Sequence, residues 1–215
     1  MSMSETPVDH LATAIAQRSS WERMRYFLPL MRLLESGDPV ARERLATVLQ
    51  RPVDEVIEAL RQFEDIAYDE ESRIVGAGLS LLPTPYRFEV QGHVLFTWCA
   101  LDTLIFPVWL GHQAQVSSSC PRTGTPIHLR VTPEGFEQLV PPSGVLSLRI
   151  QDNFATCCNI REAFCAYSQF FSSQEAASPW LAQHPDAHLL SIEEAFTLGQ
   201  KLARLTMQKF QDGQR

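Results

Sequence analysis

Residues 86–109, YRFEVQGHVLFTWCALDTLIFPVW, carry the reading that decides the fold. Tyr86 to Val90 and His93 to Trp98 read as two strands, and Gln91-Gly92 between them suits a tight hairpin turn. A mostly apolar segment follows at once and predicts a helix from Cys99 to about Phe106, which Pro107 ends or kinks. Two hairpin strands running into a helix belong to an antiparallel α+β layer, not to βαβ units. The same segment sets a thiol, Cys99, three residues before a carboxyl, Asp102. On a helix the two share one face. An acid among Leu101, Leu104 and Ile105 is costly to ionise, so its pKa should rise until it can hold a proton near neutrality. The competing reading of Asp102 is a helix cap or half of an ion pair.

On the N-terminal side the periods are helical. Val8 to Gln17 predicts one helix, and Trp21 to Glu35 another, with Phe27, Leu30, Met31 and Leu34 as its buried stripe and Gly37 as terminator. Asp38-Pro39 predicts the start of a third, carrying Leu45, Val48 and Leu49. A fourth runs from Pro52 with Val56, Ile57, Leu60 and Phe63 inward. The stretch 66–75, IAYDEESRIV, reads as a small hairpin with a polar tip. Helices followed by a hairpin make a winged-helix-like module over residues 1–82, and Pro83 and Pro85 mark the passage to a core over 83–215. A groove-reading helix needs a basic face, whereas this one sets Asp54, Glu55 and Glu58 against Arg61, which favours a packing role over DNA binding.

On the C-terminal side, Gln113 to Ser119 and Ile127 to Val131 read as strands around the turn-rich 122–126. A short helix is expected near Glu134 to Leu139, a strand over Val145 to Ile150, and one or two helical turns over Asn159 to Phe164. Cys165 to Phe171 alternates as a strand would, with Cys165 at the junction. A helix through Trp180 and Leu181 follows. Ser191 and Glu194 then form a capping box for a last helix to about Gln208, packed through Ala195, Phe196, Leu198, Leu202 and Leu205.

A net charge of −7 offers no general attraction for phosphate backbones or anionic lipid, so neither nucleic acid nor membrane is expected as a partner. The first residues, MSMSETPVDHLATAIAQ, lack the basic and apolar regions of a secretory signal, and a cytoplasmic location is expected. Five cysteines without CxxC spacing signal neither a disulfide framework nor a zinc knuckle. The vicinal Cys157 and Cys158 read as packing or surface thiols with at most an auxiliary metal role. His93, His112 and His128 have no carboxylate at a recognisable offset, which disfavours a histidine-based metal site.

The runs FTWCALDTLIFPVWLGHQAQVSSSCPRTGTP (96–126), NIREAFCAYSQFFSS (159–173) and SIEEAFTLGQKLAR (191–204) together resemble the bacterial organomercurial lyases, also called alkylmercury lyases. The resemblance implies a winged-helix-like part joined to an antiparallel α+β core. It also implies protonolysis of carbon–mercury bonds by Cys99, Cys165 and Asp102, and a structural thiol at Cys120. Some relatives have a further cysteine where Ala166 stands, and Cys157 and Cys158 have no family counterpart, so replacing them with serine is expected to be nearly neutral. No organic cofactor is implied. Mercury would be bound as substrate and product by Cys99, Cys165 and Asp102, released to small cytosolic thiols and passed to mercuric reductase. Hydrophobicity alone makes Trp98 a wall for the alkyl or aryl group. The competing classes are a catalytically silent soft-metal carrier and a winged-helix regulator responding to mercury or copper.

Overall fold

The hairpin at the centre of the sequence is also the centre of the main sheet. The structure, a computed structural model, describes residues 7–18, 21–150 and 159–212. Four helices come first: α1 (Pro7–Arg18), α2 (Trp21–Leu34), α3 (Arg42–Leu49) and α4 (Val53–Leu60). Short strands β1 (Ala67–Tyr68), β2 (Ile74–Ala77) and β3 (Leu79–Ser80) lead to β4 (Tyr86–Val90), β5 (His93–Thr97) and α5 (Asp102–Leu110). Then come β6 (Ala114–Ser119), β7 (Pro126–Val131), β8 (Phe136–Val140) and β9 (Val145–Leu148). After the undescribed 151–158 follow α6 (Ile160–Ala163), a 3-10 turn (Cys165–Tyr167), β10 (Phe170–Phe171), α7 (Gln174–Gln183), β11 (His188–Ser191) and α8 (Ile192–Asp212).

The fold is α+β, and among the described residues all strand pairing is antiparallel. One sheet has the order β1-β2-β3-β5-β4-β6-β7-β8, and a smaller one has the order β10-β9-β11. Because β3 pairs with β5, the main sheet runs without a break across residue 82. Gln91 and Gly92 have φ of 51° and 80°, the two left-handed residues of a tight hairpin turn, and fix the register Val90↔His93. Helix α5 lies against α8 so closely that a Cβ on Gly199 would meet the Leu104 carbonyl oxygen at 3.3 Å. The helical module and the sheet share one core, joined where Phe27 meets Phe63 and Trp98 edge-on at 5.5 and 6.3 Å.

Several elements differ from the sequence expectation. Helix α3 starts at Arg42, not at Asp38-Pro39, because Val40 is held in an isolated bridge to Ile74. Val48, expected inside, is half exposed. Residues 134–139 are not helical: the Thr132 hydroxyl accepts from the Glu134 and Gly135 amides, turns the chain back, and sends Phe136–Val140 along β7 as an edge strand. Cys165 to Phe171 is a 3-10 turn and a two-residue strand. β11 had no expectation, and α8 continues to Asp212. Pro107 neither ends nor stops α5, which closes at Gly111, whose φ is 76°.

Candidate functional site

Cys99 leaves β5 in a turn rather than in the helix expected there, since α5 begins only at Asp102. Two buried hydroxyls shape that turn. Thr97 Oγ1 donates to the Cys99 carbonyl at 2.9 Å, and Thr103 Oγ1 donates to the Ala100 carbonyl at 2.7 Å. The Cys99 amide donates to Asp102 Oδ2 at 3.2 Å, so the acid folds back over the residue that carries the thiol.

Cys165 reaches the same place through Ser168. The Ala100 amide donates to the Ser168 carbonyl at 3.1 Å, the Leu101 amide to Ser168 Oγ at 3.0 Å, and the Ser168 amide to the Cys165 carbonyl at 3.1 Å. From β4, Tyr86 Oη adds a bond to the Ser168 carbonyl at 3.1 Å. The outcome is that Cys99 Sγ, Cys165 Sγ and an Asp102 carboxylate oxygen all lie within 4.8 Å of one another. Two soft sulfurs and one hard oxygen at that spacing suit a soft cation held by thiolates, with the carboxyl beside it.

Burial dominates the electrostatics. It raises the Asp102 carboxyl to about 7, outweighing the hydrogen bonds from Cys99 and the Trp98 amide that favour the anion. The Cys99 thiol is pushed up by burial, offset in part by hydrogen bonds from Cys165, the Asp102 residue and Ser168. The hydrogen bond Cys165 gives to Cys99, then burial, lift the Cys165 thiol well above its usual value, and the charges of Asp102 and Asp65 add to this. Tyr86 is likewise raised by burial and by the three acidic groups it faces. At neutrality the two thiols are therefore protonated, and the carboxyl beside them is shared between its acid and ionised forms.

A cleft of about 490 Å³ leads to the cluster, lined among others by Asp65, Tyr86, Trp98, Arg161 and Cys165. Trp98, 8% exposed, forms part of its wall with the Arg161 guanidinium stacked on its ring at 5.4 Å. Asp65 is ion-paired with Arg23 and accepts from the Ile160 amide at 3.3 Å, so the helical module grips the start of the segment that carries Cys165. Neither Asp65 nor Ser168 stands out by sequence spacing: their partners lie 42 and 67 residues away.

Cys120 directly follows β6 and is not part of the cluster. Burial pushes its thiol up, but hydrogen bonds from Thr123 and Ser172 prevail and bring it to about 7. Cys157 and Cys158 lie outside the described residues. His112, read as lacking a carboxylate, pairs with Glu35 at 2.5 Å across 77 residues.

The family model described as alkylmercury lyase matches residues 79–204, and that of the helix-turn-helix domain of alkylmercury lyase matches residues 8–78. The alkylmercury lyase of Bacillus cereus is 41% identical over 200 residues, covering 91% of this chain and 90% of its own. That of Streptomyces lividans is 45% identical over 174 residues, covering 81% and 80%. The crystal structure of the mercury-bound form of MerB2 superposes with a TM-score of 0.72 at 25% identity, covering 94% of this chain and all of that one.

Proposed function

We propose, from the premise that this chain belongs to the alkylmercury lyase family, that Cys99, Cys165 and Asp102 are the groups that cleave the carbon–mercury bond of its organomercurial substrate. The observation that carries the assignment is the convergence of these three side chains within 4.8 Å, although Cys165 is distant in sequence.

An incoming R–Hg–X meets two protonated thiols beside the ionised form of Asp102. Mercury binding acidifies the thiol it touches, because only the thiolate is a good ligand. The Cys99 proton passes to Asp102, whose carboxyl titrates at about 7 and so can both take and return it. The Cys99 sulfur bonds mercury and X⁻ leaves. Cys165 then binds, releasing its proton to solvent, and the second thiolate weakens the mercury–carbon bond. Asp102 delivers its proton to the carbon as that bond breaks, and its electron pair forms the new C–H bond. The sum is R–Hg⁺ plus two thiols giving R–H, a bis-thiolate Hg(II) and one proton. No electrons are exchanged, so the reaction calls for no organic cofactor.

Hg(II) leaves by exchange onto incoming thiols, which the cleft admits at Cys165. Small cytosolic thiols fit this role, as do cysteines of a mercuric reductase, and a cytoplasmic location agrees with both. No described helix is long and apolar enough to cross a membrane. Trp98 serves as a wall for the organic group, and Cys120, outside the cluster, as a structural thiol. The regulator reading loses ground to the exposed acidic Asp54, Glu55 and Glu58 on α4.

Headspace gas chromatography over the protein, excess thiol and phenylmercury tests the assignment. Benzene should appear in proportion to the phenylmercury added and far more slowly with Asp102→Asn. Undiminished benzene from Asp102→Asn would remove the acid from the reaction.

A further inference from the structure

We propose that Arg161, on the rim of the cleft, is a docking point for the carboxylate of the thiol that carries Hg(II) away, so that exchange favours small thiols bearing a carboxylate a few bonds from sulfur. This rests on the assignment of Cys99 and Cys165 as mercury ligands above.

Exchange consumes an anion. A thiolate entering the cleft bonds mercury, the mercury–Cys165 bond breaks, and Cys165 leaves with its electron pair and takes a proton from solvent. A second thiol releases Cys99 in the same way. The sum is a protein-bound bis-thiolate Hg(II) and two thiols giving a free mercuric bis-thiolate and two protein thiols, with no change of oxidation state. Cys165 lines the cleft whereas Cys99 is fully buried, so the entering sulfur comes by way of the cleft.

Most of the charge it meets there has its own sign. Glu64 and Glu162 are exposed on the lining, Asp65 has its charge answered by Arg23, and the whole chain carries −7. Such a field slows the approach of an anion. Asn159 Oδ1 accepts the Glu162 amide at 3.4 Å and Gln169 Nε2 donates to the Ala166 carbonyl at 3.0 Å, so both neutral amides of the lining are engaged within their own turn. The cation of the lining is Arg161.

Arg161 is exposed, stands four residues before Cys165, and holds its guanidinium over the Trp98 ring at 5.4 Å. Among the described residues no carboxylate is paired with it, whereas Arg23, Arg73 and Arg149 are each tied to an acid. Stacking occupies the face of the guanidinium and fixes its plane, which leaves the edge, where the N–H groups lie, for a planar carboxylate. A cleft of about 490 Å³ has the size of a small-molecule site. Because Arg161 and Cys165 line one cleft, a small molecule anchored at the first keeps its sulfur in the space that opens on the second.

The test uses the full chain carrying Cys157→Ser and Cys158→Ser, loaded with one equivalent of Hg(II) from mercuric chloride. Mercury left on the protein is measured by rapid gel filtration after timed mixing with 3-mercaptopropionate or 2-mercaptoethanol at equal thiolate concentration. The ratio of the two removal rates should fall about fivefold with Arg161→Gln, the worth of one exposed but well-aligned ion pair, and should also fall with added salt. Taking the ratio within each protein cancels any general effect of Arg161 on the Trp98 wall. Arg204→Gln, which removes the same charge from an exposed position of α8 outside the cleft lining, should leave the ratio in place. Cysteamine, with an ammonium where the carboxylate was, should gain on 2-mercaptoethanol when Arg161 is replaced. A ratio unmoved by Arg161→Gln, an equal loss with Arg204→Gln, or a loss for cysteamine like that for 3-mercaptopropionate would overturn the proposal. Because Hg(II) is loaded directly, a protein that exchanges mercury as expected yet releases no benzene would strike the lyase assignment and leave the docking result standing.

Discussion

The backbone amide of Cys99 donates to Asp102 Oδ2 at 3.2 Å, so the acid is anchored to the residue that carries the thiol. This bond survives replacement of the carboxyl by an amide, whose oxygen still accepts, whereas the proton shuttle does not. Asp102→Asn should therefore retain tight binding of Hg(II) by equilibrium dialysis. Its single-turnover release of benzene should fall by about 10²–10⁴-fold.

Asp102 also sets a pH dependence of stability. Its carboxyl titrates at about 7 in the fold against an ordinary 3.8, so between those values the folded protein keeps a proton that the unfolded chain has lost. Stability should fall as pH rises from about 4 to 7, by roughly 4 kcal/mol at most. Urea unfolding at pH 5 and 8 should show this decline in the unaltered protein and a smaller one in Asp102→Asn.

Asp65 accepts from both Arg23 and the Ile160 amide, and its side chain has no exposed surface. Asp65→Ala leaves the Arg23 guanidinium, 12% exposed, without its carboxylate. Denaturant unfolding should register a loss of roughly 3–5 kcal/mol. Because the grip on the segment bearing Cys165 goes with it, benzene release should weaken at temperatures well below the unfolding midpoint.

Trp98 gives the cleft an aromatic wall backed by Phe27 and Arg161. An aryl group can stack there, whereas a methyl group offers little area. Trp98→Leu should raise the KM for phenylmercury several-fold, about 1 kcal/mol of aromatic contact. The KM for methylmercury should change less.

What the chain discloses by sequence is what local rules decide. The strands of the central hairpin follow from alternation and a two-residue turn, and the last helix follows from its box: the Glu194 amide donates to Ser191 Oγ, and the Ser191 amide to Glu194 Oε2. Where a distant partner intervenes, local reading errs. Cys99 was expected on a helix because its neighbours are apolar, but the Ala100 and Leu101 amides are taken by Ser168, which holds them in a turn. Nothing local announces the Phe136 strand, whose pairing with β7 comes from the Thr132 turn. Cys99 and Asp102 were singled out by spacing, although they meet across a turn and not along a helix. No spacing rule joins Cys165 to them. Only the likeness to a known family did so.

The central claim is that two sulfurs must hold one mercury before carbon can be protonated. Single-turnover release of benzene from phenylmercury by Cys165→Ser, measured with the protein in excess over substrate, tests it most directly. The account predicts that Cys99 still captures phenylmercury, seen as loss of one titratable thiol, while benzene stays at the background of the protein-free control. Benzene release at the rate of the unaltered protein would contradict it.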